Sequence, residues 1–235
     1  MPTSNHPASR AQRPLPTLLL SALILALGLP IPILAQIFSR VFVPAITLGS
    51  KTIKVGPNNS TKTISFGLLT GPVDAVIAAS FISLISSVIL IGALGIVRHV
   101  SMHNVWGWGL VVPAVANLLG QVGALAYVFI VHGQHKEAGS VEEVRFVDGR
   151  YDTNGTLYTT EAWACMMERF YASQEPWAKK SCSDLKTGRI LTIPMTVCAL
   201  VLAALSLWQV QRRGGFRWLL HGQGRMAMKS ESIPL

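Results

Sequence analysis

Four long apolar runs constrain this chain more than any other feature of its sequence. They cover residues 15–38, 73–97, 105–131 and 190–210, and none of them contains Lys, Arg or Glu. The single acid, Asp74, lies at the mouth of the second run. About 20 apolar residues are needed to cross the hydrocarbon core of a bilayer. The sequence therefore predicts four transmembrane helices, and the lipid bilayer is the first partner of the chain.

The overall composition agrees with a membrane protein. Charged residues make up only 13% of the chain, whereas soluble proteins have about 25%. The formal net charge of +9 is typical of proteins that bind nucleic acid, but such proteins carry the charge on the surface of a soluble domain. Because apolar segments occupy so much of this chain, we expect no nucleic-acid partner.

The first apolar run has two interpretations. Arg10 and Arg13 precede it and residues 33–35 have the character of a cleavage site, as in a secretory signal peptide. The apolar stretch is longer than the 7 to 15 residues of a usual signal core, although Pro30 and Pro32 interrupt it. We favour a retained helix. Both interpretations leave the segment that follows on the same side of the membrane.

Positive charge predicts the orientation of the chain. Residues 1–14, 98–104 and 211–235 together carry eight basic residues and one acid, whereas the long loop of residues 132–189 carries eight basic and nine acidic residues. Cytoplasmic segments of membrane proteins have an excess of Lys and Arg. Both termini are therefore expected in the cytoplasm. The loop of residues 39–72 departs from the rule, since it carries four basic residues.

Acceptor sites for N-glycosylation support the same orientation. Asn58, Asn59 and Asn154 each begin an Asn-x-Ser/Thr triplet. All three lie in the loops of residues 39–72 and 132–189, which the charge rule places outside the cytoplasm. We expect these residues to be the glycosylation sites.

The three cysteines fall into two groups. Cys165 and Cys182 share the long loop, whereas Cys198 lies within the last apolar run. On an oxidising face of the membrane, a disulfide between Cys165 and Cys182 is the natural expectation, with two unlinked thiols as the alternative. A bridge over this distance stabilises a fold by roughly 3 kcal/mol.

Both loops show strand patterns. Residues 51–55 and 63–66 alternate polar with β-branched or aromatic residues around a Gly-Pro-Asn-Asn turn, and residues 144–147 precede an Asp-Gly turn. Because two strands alone are marginally stable in water, we expect one sheet that joins both loops. The predicted fold class is an all-α transmembrane four-helix bundle with a small extracellular α+β loop domain.

A helix is predicted at residues 161–171 of the long loop, with Thr160 as its N-cap. Trp163 and Phe170 lie on its apolar face. The preferred interpretation is that this face covers the sheet and is held there by the disulfide. The alternative is that Trp163, Trp177 and Phe170 form a recognition surface.

Small and polar residues inside the runs indicate how the helices pack. Ala75, Ala79, Ser83 and Ser87 recur at every fourth position of the second run, as do Ala116, Gly120 and Ala124 of the third. Such stripes allow close helix approach. Asn117 and Gln121, one turn apart, are strongly polar side chains within the third run. We expect them to form interhelical hydrogen bonds, with a small-molecule or transport site as the alternative.

No motif for catalysis, a cofactor or a metal stands out. The histidine pairs His99 with His103 and His132 with His135 lie at opposite ends of the spans, and neither has a complete set of metal ligands nearby. The sequence contains no Cys-x-x-Cys pair and no glycine-rich phosphate loop. The tail at residues 212–220 mixes basic with aromatic residues, which favours contact with anionic lipids as well as fixing the orientation of the last span.

One part of the sequence resembles known proteins. The run Tyr151-Asp152-Thr153, the run from Thr160 to Cys165, and then Cys182 and Arg189 ahead of an apolar span resemble a pattern in fungal four-span membrane proteins of unknown function. This resemblance covers the last third of the chain and implies a fungal source. In topology the chain is also similar to claudins and tetraspanins, but it lacks the cysteines of the claudin first loop and the Cys-Cys-Gly of tetraspanins.

These observations lead to three functional hypotheses. The first is a non-enzymatic multi-pass protein of the plasma membrane or secretory pathway, which organises the membrane or contacts the cell wall, another protein or a second copy of itself through its large loop. The second is an accessory membrane protein for small-molecule biosynthesis or export. The third is a membrane-embedded enzyme.

Overall fold

The computed structural model describes residues 15–40, 50–55, 60–65, 67–99, 104–147, 150–213 and 215–221. Among these residues, four helical segments are long and apolar enough to cross a membrane: Leu19–Ser39, Gly71–Ile96, Gly107–Gln134 and Ala178–Arg212. In chain order the elements are α1 (Leu15–Leu23), a π-helical turn (Ile24–Gly28), α2 (Pro30–Ser39), β1 (Ser50–Val55), β2 (Ser60–Ser65), α3 (Gly71–His99), α4 (Asn104–Gln134), a 3₁₀ turn (Val141–Glu143), β3 (Arg145–Val147), β4 (Arg150–Asp152), α5 (Thr160–Tyr171), α6 (Ala178–Arg213) and α7 (Phe216–His221).

The first spanning segment consists of α1, the π-helical turn and α2. Pro30 has no backbone N–H, so it cannot continue the regular hydrogen-bond ladder at this point. The chain widens by one residue per turn, and the N–H of Leu29 bonds to the carbonyl of Ile24 at 3.1 Å. The widened turn brings Gly28 close to α3, where the Ser87 hydroxyl donates to the Gly28 carbonyl at 3.2 Å.

The four segments form an antiparallel bundle in which each packs against two neighbours. The segment α1–α2 lies beside α3, α3 beside α4, α4 beside α6, and α6 returns to α1–α2. The side chains of Leu20, Ile24, Leu90, Leu110 and Leu202 meet in one buried cluster and are at most 1% exposed. Because the segments alternate in direction, the first hairpin (β1 and β2) and residues 135–177 belong to the same end of the bundle.

The stripes of small residues are only partly used as predicted. In α3, Ala79, Ser83 and Ser87 are buried as expected. In α4 the packed face is shifted, since Ala116 is exposed while Ala114, Asn117 and Gln121 are buried. Helix α4 therefore presents a face next to the small-residue stripe, and that face carries the two amides.

Large apolar side chains cover the outside of the bundle. Ile85, Val88, Leu119 and Leu200 are each more than half exposed. A surface of this kind is stable when hydrocarbon surrounds it. The exposed residues are therefore typical of a multi-pass membrane protein.

The strands form two separate hairpins, which corrects the prediction of a single sheet. Among the described residues, β1 pairs only with β2 and β3 only with β4. The two loops are joined by a parallel bridge between Leu69 and Thr159, where the Leu69 N–H bonds to the Tyr158 carbonyl at 2.9 Å, and β1 also lies beside β4. The three-residue strands of the second hairpin are covered by a helix, which stabilises a hairpin without further strands.

Helix α5 begins at Thr160, and its N-cap is Thr159 rather than the predicted Thr160. Thr159 is extended, and its hydroxyl accepts from the N–H of Ala162 at 3.1 Å. The bridge to Leu69 holds Thr159 in this conformation, so the helix can start only after it. Helix α6 in turn begins at Ala178, well before the predicted span at residue 190, because an amphipathic extension packs against α5.

Candidate functional site

The long loop folds into a compact layer on one end of the bundle. We call this part, residues 135–177, the loop layer. Helix α5 places Trp163, Met166 and Met167 against the second hairpin, and all three side chains are fully buried. The rings of Tyr151 and Trp163 meet edge to face with their centroids 5.4 Å apart. The predicted helix therefore covers the hairpin, as the preferred interpretation required.

Burial changes the acidity of the three tyrosines in this layer. It raises the pKa of Tyr151, Tyr158 and Tyr171 above the ordinary tyrosine value. The Tyr151 hydroxyl also donates to Glu175 at 3.0 Å, which raises the pKa of Tyr151 further because ionisation would break that bond. The Tyr171 hydroxyl donates to the Val144 carbonyl at 2.5 Å. The tyrosine hydroxyls of the loop layer are therefore neutral, and those of Tyr151 and Tyr171 act as hydrogen-bond donors.

The predicted disulfide is present. Cys165 of α5 is bonded to Cys182 of α6, with 4.8 Å between their Cα atoms, and both are buried. Cys198 is a free cysteine within the last spanning helix, also as expected. Because Cys182 belongs to the same continuous helix as the last span, the disulfide ties the loop layer directly to the bundle.

A buried ion pair, which the sequence did not predict, is a second connection between the loop layer and the bundle. Glu161 of α5 accepts three hydrogen bonds of 2.9 to 3.1 Å from the guanidinium of Arg189 in α6. The two side chains are only 11% and 17% exposed. The guanidinium also lies 5.5 Å from the ring centre of Phe129 in α4. In the sequence, Arg189 directly precedes the last apolar run. A charged residue at that position was the only sequence feature that indicated an ion pair at the membrane boundary.

A narrow cleft separates the loop layer from the bundle, and we call it the junction cleft. Its volume is about 410 Å³ when the open mouth is included. The centre of a water molecule can occupy only about 20 Å³ of this volume. That space is enough for one or two waters. The cleft has both apolar and polar lining residues, namely Ser39, Leu69, Pro72, Val73, Val76, Val128, His132, Thr159, Thr160, Glu161, Leu185 and Arg189.

Two buried polar atoms of the residues that line this cleft have no hydrogen-bond partner among the described residues. They are Nδ1 of His132 and Oγ1 of Thr160. Buried polar groups in proteins are nearly always satisfied, by protein or by bound water. Together with Glu161 and Arg189, these atoms give the cleft both donors and acceptors for a small polar group.

Of the two predicted amides inside the bundle, Gln121 forms an interhelical hydrogen bond, whereas Asn117 accepts from Gln121 of its own helix at 3.4 Å. Asn117 and Gln121 are each 1% exposed. The Gln121 carboxamide nitrogen donates to the Ala79 carbonyl of α3 at 2.8 Å. The Thr196 hydroxyl of α6 lies 3.4 Å from the Gln121 backbone carbonyl, but it donates at 2.8 Å to the Thr192 carbonyl of its own helix. The Gln121 bond links α4 to α3, and neither amide lines the junction cleft.

The proposed recognition residues occupy different environments. Trp163 lies in the interior of the loop layer and not at a surface, as the recognition alternative required, because α5 turns it toward the second hairpin. Trp177 is half-buried beside the disulfide, and its indole N–H donates to Glu175. Phe170 is half-buried at the edge of the same layer, with the guanidinium of Arg169 6.0 Å from its ring centre.

Asn154 lies on an exposed turn. It has a positive φ of 51°, followed by Gly155 at 80°, and its N–H bonds to the Asp152 carboxylate at 3.0 Å. The side chains of Asn154 and Thr156 are both exposed, which is the geometry that a glycosylation site requires. Glycosylation of Asn154 remains a prediction, and Asn58 and Asn59 lie outside the described residues.

Comparison of the chain with protein-family models, with curated proteins and with solved structures finds no match. The resemblance to fungal four-span proteins therefore stays a prediction.

Within the part of the chain that the structure describes, no group of three His, Cys, Asp or Glu residues is placed to hold a metal ion. The His135 ring nitrogen Nδ1 lies 3.1 Å from the Leu157 carbonyl, and His103 falls outside that part.

Proposed function

We propose that this protein is a non-enzymatic multi-pass membrane protein that uses the loop layer to contact a neighbouring membrane protein, a cell-wall component or a second copy of itself. In this proposal the layer faces the exterior or the lumen of the secretory pathway, and both termini face the cytoplasm. The excess of basic residues in the terminal segments and the three glycosylation triplets support this orientation.

The observation that carries the proposal is the way in which the loop layer is fixed to the bundle. The Cys165–Cys182 disulfide, the Glu161–Arg189 ion pair and the Leu69–Tyr158 backbone hydrogen bond all join it to the spanning helices or to the other loop. A loop that only connects two spans needs none of these joints. A surface that must keep its shape for a partner benefits from them, because less conformational entropy is lost on binding.

The outer surface of the layer offers exposed apolar side chains for such a contact. Val141, Phe146 and Leu157 are 47%, 40% and 41% exposed. They belong to the 3₁₀ turn, the second hairpin and the segment before α5, and none is within a spanning helix. Contact residues at protein interfaces are commonly apolar or aromatic side chains of this kind.

The test compares two cysteine variants of the full-length protein in its native membrane. Cys165→Ser combined with Cys182→Ser removes the disulfide, whereas Cys198→Ser removes a free thiol and serves as the matched control. Chemical cross-linking followed by affinity capture should recover a partner with the unchanged protein and with Cys198→Ser. Recovery should drop at least tenfold for the double variant, because an untethered layer is less ordered. The same partners at the same yield after confirmed loss of the disulfide would contradict the proposal.

A surface variant tests the same idea without disturbing the joints. Val141→Ser combined with Leu157→Ser removes exposed apolar groups, and Lys179→Ser combined with Lys180→Ser changes two exposed residues outside the proposed contact surface. We expect the first pair to lower partner recovery and the second pair to leave it unchanged. Equal recovery for both pairs would exclude these apolar residues from the contact.

The junction cleft supports a second candidate, an accessory role in the biosynthesis or export of a small molecule. The unpartnered His132 and Thr160 atoms fit the hydrogen-bonding head of a small compound, with the rest of the compound in the open mouth of the cleft. Native mass spectrometry of the protein released from its own membrane should then detect a bound compound that His132→Leu with Thr160→Val removes. Detection of the protein with no bound compound would contradict this second candidate.

A further inference from the structure

The end of the bundle opposite the loop layer carries a short helix with a divided surface. After α6 the chain turns at Gly215, which has a φ of +69° and whose N–H bonds to the Val210 carbonyl at 3.0 Å. Helix α7 then runs from Phe216 to His221. A left-handed glycine of this kind is a common end of a helix, and it lets the chain change direction sharply.

One face of α7 is anchored to the bundle. Leu219 is fully buried and packs with Val111 of α4 and Val210 of α6. The short helix therefore lies against the first turns of α4 and does not continue the last span outward. This contact fixes where its other face points relative to the spanning helices.

The other face of α7 is apolar and exposed. Phe216 and Leu220, one turn apart, are 62% and 64% exposed. Val105 and Trp108, at the start of α4, are also exposed at this end of the bundle, at 60% and 41%. These side chains continue the apolar surface of the spanning helices, which supports hydrocarbon rather than water as the medium that covers them.

Basic residues accompany this apolar face. The Arg212 guanidinium lies 4.7 Å from the ring centre of Trp208, at the end of the last spanning segment. Residues 211–230 contain Arg212, Arg213, Arg217, Arg225 and Lys229 and no acidic residue. Arginine and tryptophan together at the end of a span are typical of the boundary between hydrocarbon and phospholipid headgroups.

We propose that α7 and the adjoining arginines form a binding site for an anionic phospholipid surface. Phe216 and Leu220 insert at the level where the acyl chains begin. Arg212 binds the phosphate and carboxylate groups of the headgroups, and the basic charge of residues 211–230 attracts them. The occupant is the leaflet that surrounds this end of the bundle. The proposal concerns a different face from the loop layer, and it holds whichever compartment that leaflet faces.

The experiment uses the full-length protein with Leu220→Cys and Cys198→Ala, in which the thiol introduced on α7 is labelled with a polarity-sensitive fluorophore. The Cys165–Cys182 disulfide stays oxidised and does not react. The protein is reconstituted in nanodiscs of phosphatidylcholine that contain increasing fractions of phosphatidylserine. We expect the emission to shift to shorter wavelength as phosphatidylserine increases, because headgroups bound to the arginines exclude water from the labelled face of α7.

Two charge variants decide the outcome. Arg212→Gln, Arg213→Gln and Arg217→Gln together should weaken the response to phosphatidylserine by about fivefold for each charge removed. Lys136→Gln, Arg145→Gln and Lys179→Gln remove the same charge at the opposite end of the bundle and should leave the response unchanged. Arg212→Gln alone should give an intermediate response, so the test does not depend on one heavily altered protein.

Three results would overturn the proposal. The first is an emission that does not depend on phosphatidylserine. The second is an equal response of the two triple variants. The third is reversal of the shift by inorganic phosphate, beyond the effect of sodium chloride at the same ionic strength, since that would show a site for soluble anions instead of a lipid surface.

Discussion

Gln121 connects two spanning helices through one polar contact. Its carboxamide nitrogen donates to the Ala79 carbonyl of α3 at 2.8 Å, while its own Oε1 has no partner among the described residues. The Ala79 carbonyl lies in the interior of α3, so it also belongs to that helix's own hydrogen-bond ladder. The Gln121 amide therefore gains a hydrogen bond, whereas the Ala79 carbonyl keeps a hydrogen bond within α3 even without Gln121.

Because the Ala79 carbonyl stays hydrogen-bonded without Gln121, an apolar replacement of similar size at position 121 should lower the free energy of unfolding only slightly. Gln121→Leu should lower the free energy of unfolding by less than about 1 kcal/mol, since interhelical hydrogen bonds in membranes contribute about 0.6 kcal/mol on average. Gln121→Ala should cost about 2 kcal/mol more, because it also leaves a cavity. Thermal unfolding in mild detergent measures both, with Val122→Ala at a half-exposed position as the control. An equal cost for the two Gln121 variants would contradict this explanation.

The Glu161–Arg189 pair should behave as a coupled unit. Replacing either residue alone with Gln leaves a buried charge without its partner, so each single change should cost about 3 kcal/mol. The double replacement should cost clearly less than the sum of the two. Arg169 and Glu137 provide the matched control, because their contact of 3.3 Å is more exposed and Arg169→Gln should cost less than about 1 kcal/mol. Additive effects of the two buried changes would contradict the coupling.

At the scale of elements, the tyrosines of the loop layer make its stability depend on alkaline pH. Their pKa values are raised in the folded layer, whereas in the unfolded chain they are near 10. The folded state therefore holds their protons more tightly. The stabilisation is complete below about pH 10 and is lost as the pH rises further.

We expect tyrosinate absorbance and the near-ultraviolet circular dichroism of the layer to change together above about pH 10. Tyr151→Phe should remove one of the late-titrating groups, since its hydroxyl is buried and bonded to Glu175. If all tyrosines ionise near pH 10 while the circular dichroism stays unchanged, their burial does not contribute to the layer's stability.

The elements also show which parts of the fold are encoded locally. The spans follow from the length of the apolar runs, and the disulfide follows because only Cys165 and Cys182 lie outside them. The hairpins were predicted as well, but their separate pairing was not, because one sheet and two sheets use the same alternation of residues. The choice between them depends on how the two loops lie against each other, and that is a long-range property of the fold.

The candidate site was less predictable than the fold for the same reason. Glu161 and Arg189 are separated by 28 residues, and the sequence around each of them does not indicate that the two form an ion pair. The apolar pattern of α5 identified Trp163 as part of a packed face but not which neighbour covers it. Its burial follows from the position of the second hairpin, and that is a property of the tertiary structure.

At the scale of the whole molecule, the bundle links the positions of all its connections. The first hairpin and the loop layer share one end, while α7 and the start of α4 share the other. Any evidence for the side of one segment is therefore evidence for the others. Asn154 and Arg212 lie at opposite ends, so the glycosylation triplets and the basic charge of the tail independently predict the same orientation.

Cysteine accessibility in intact cells tests this orientation. In a Cys198→Ala background, Lys179→Cys should react with a membrane-impermeant maleimide, because Lys179 is exposed at the end of the bundle that carries the loop layer. Gln211→Cys, exposed at the other end, should react only after the membrane is permeabilised. The reverse pattern would invert the orientation and move Asn154 out of reach of glycosylation. Reaction of both cysteines in intact, unpermeabilised cells would contradict the four-span arrangement itself, since the bundle cannot place both ends on one side.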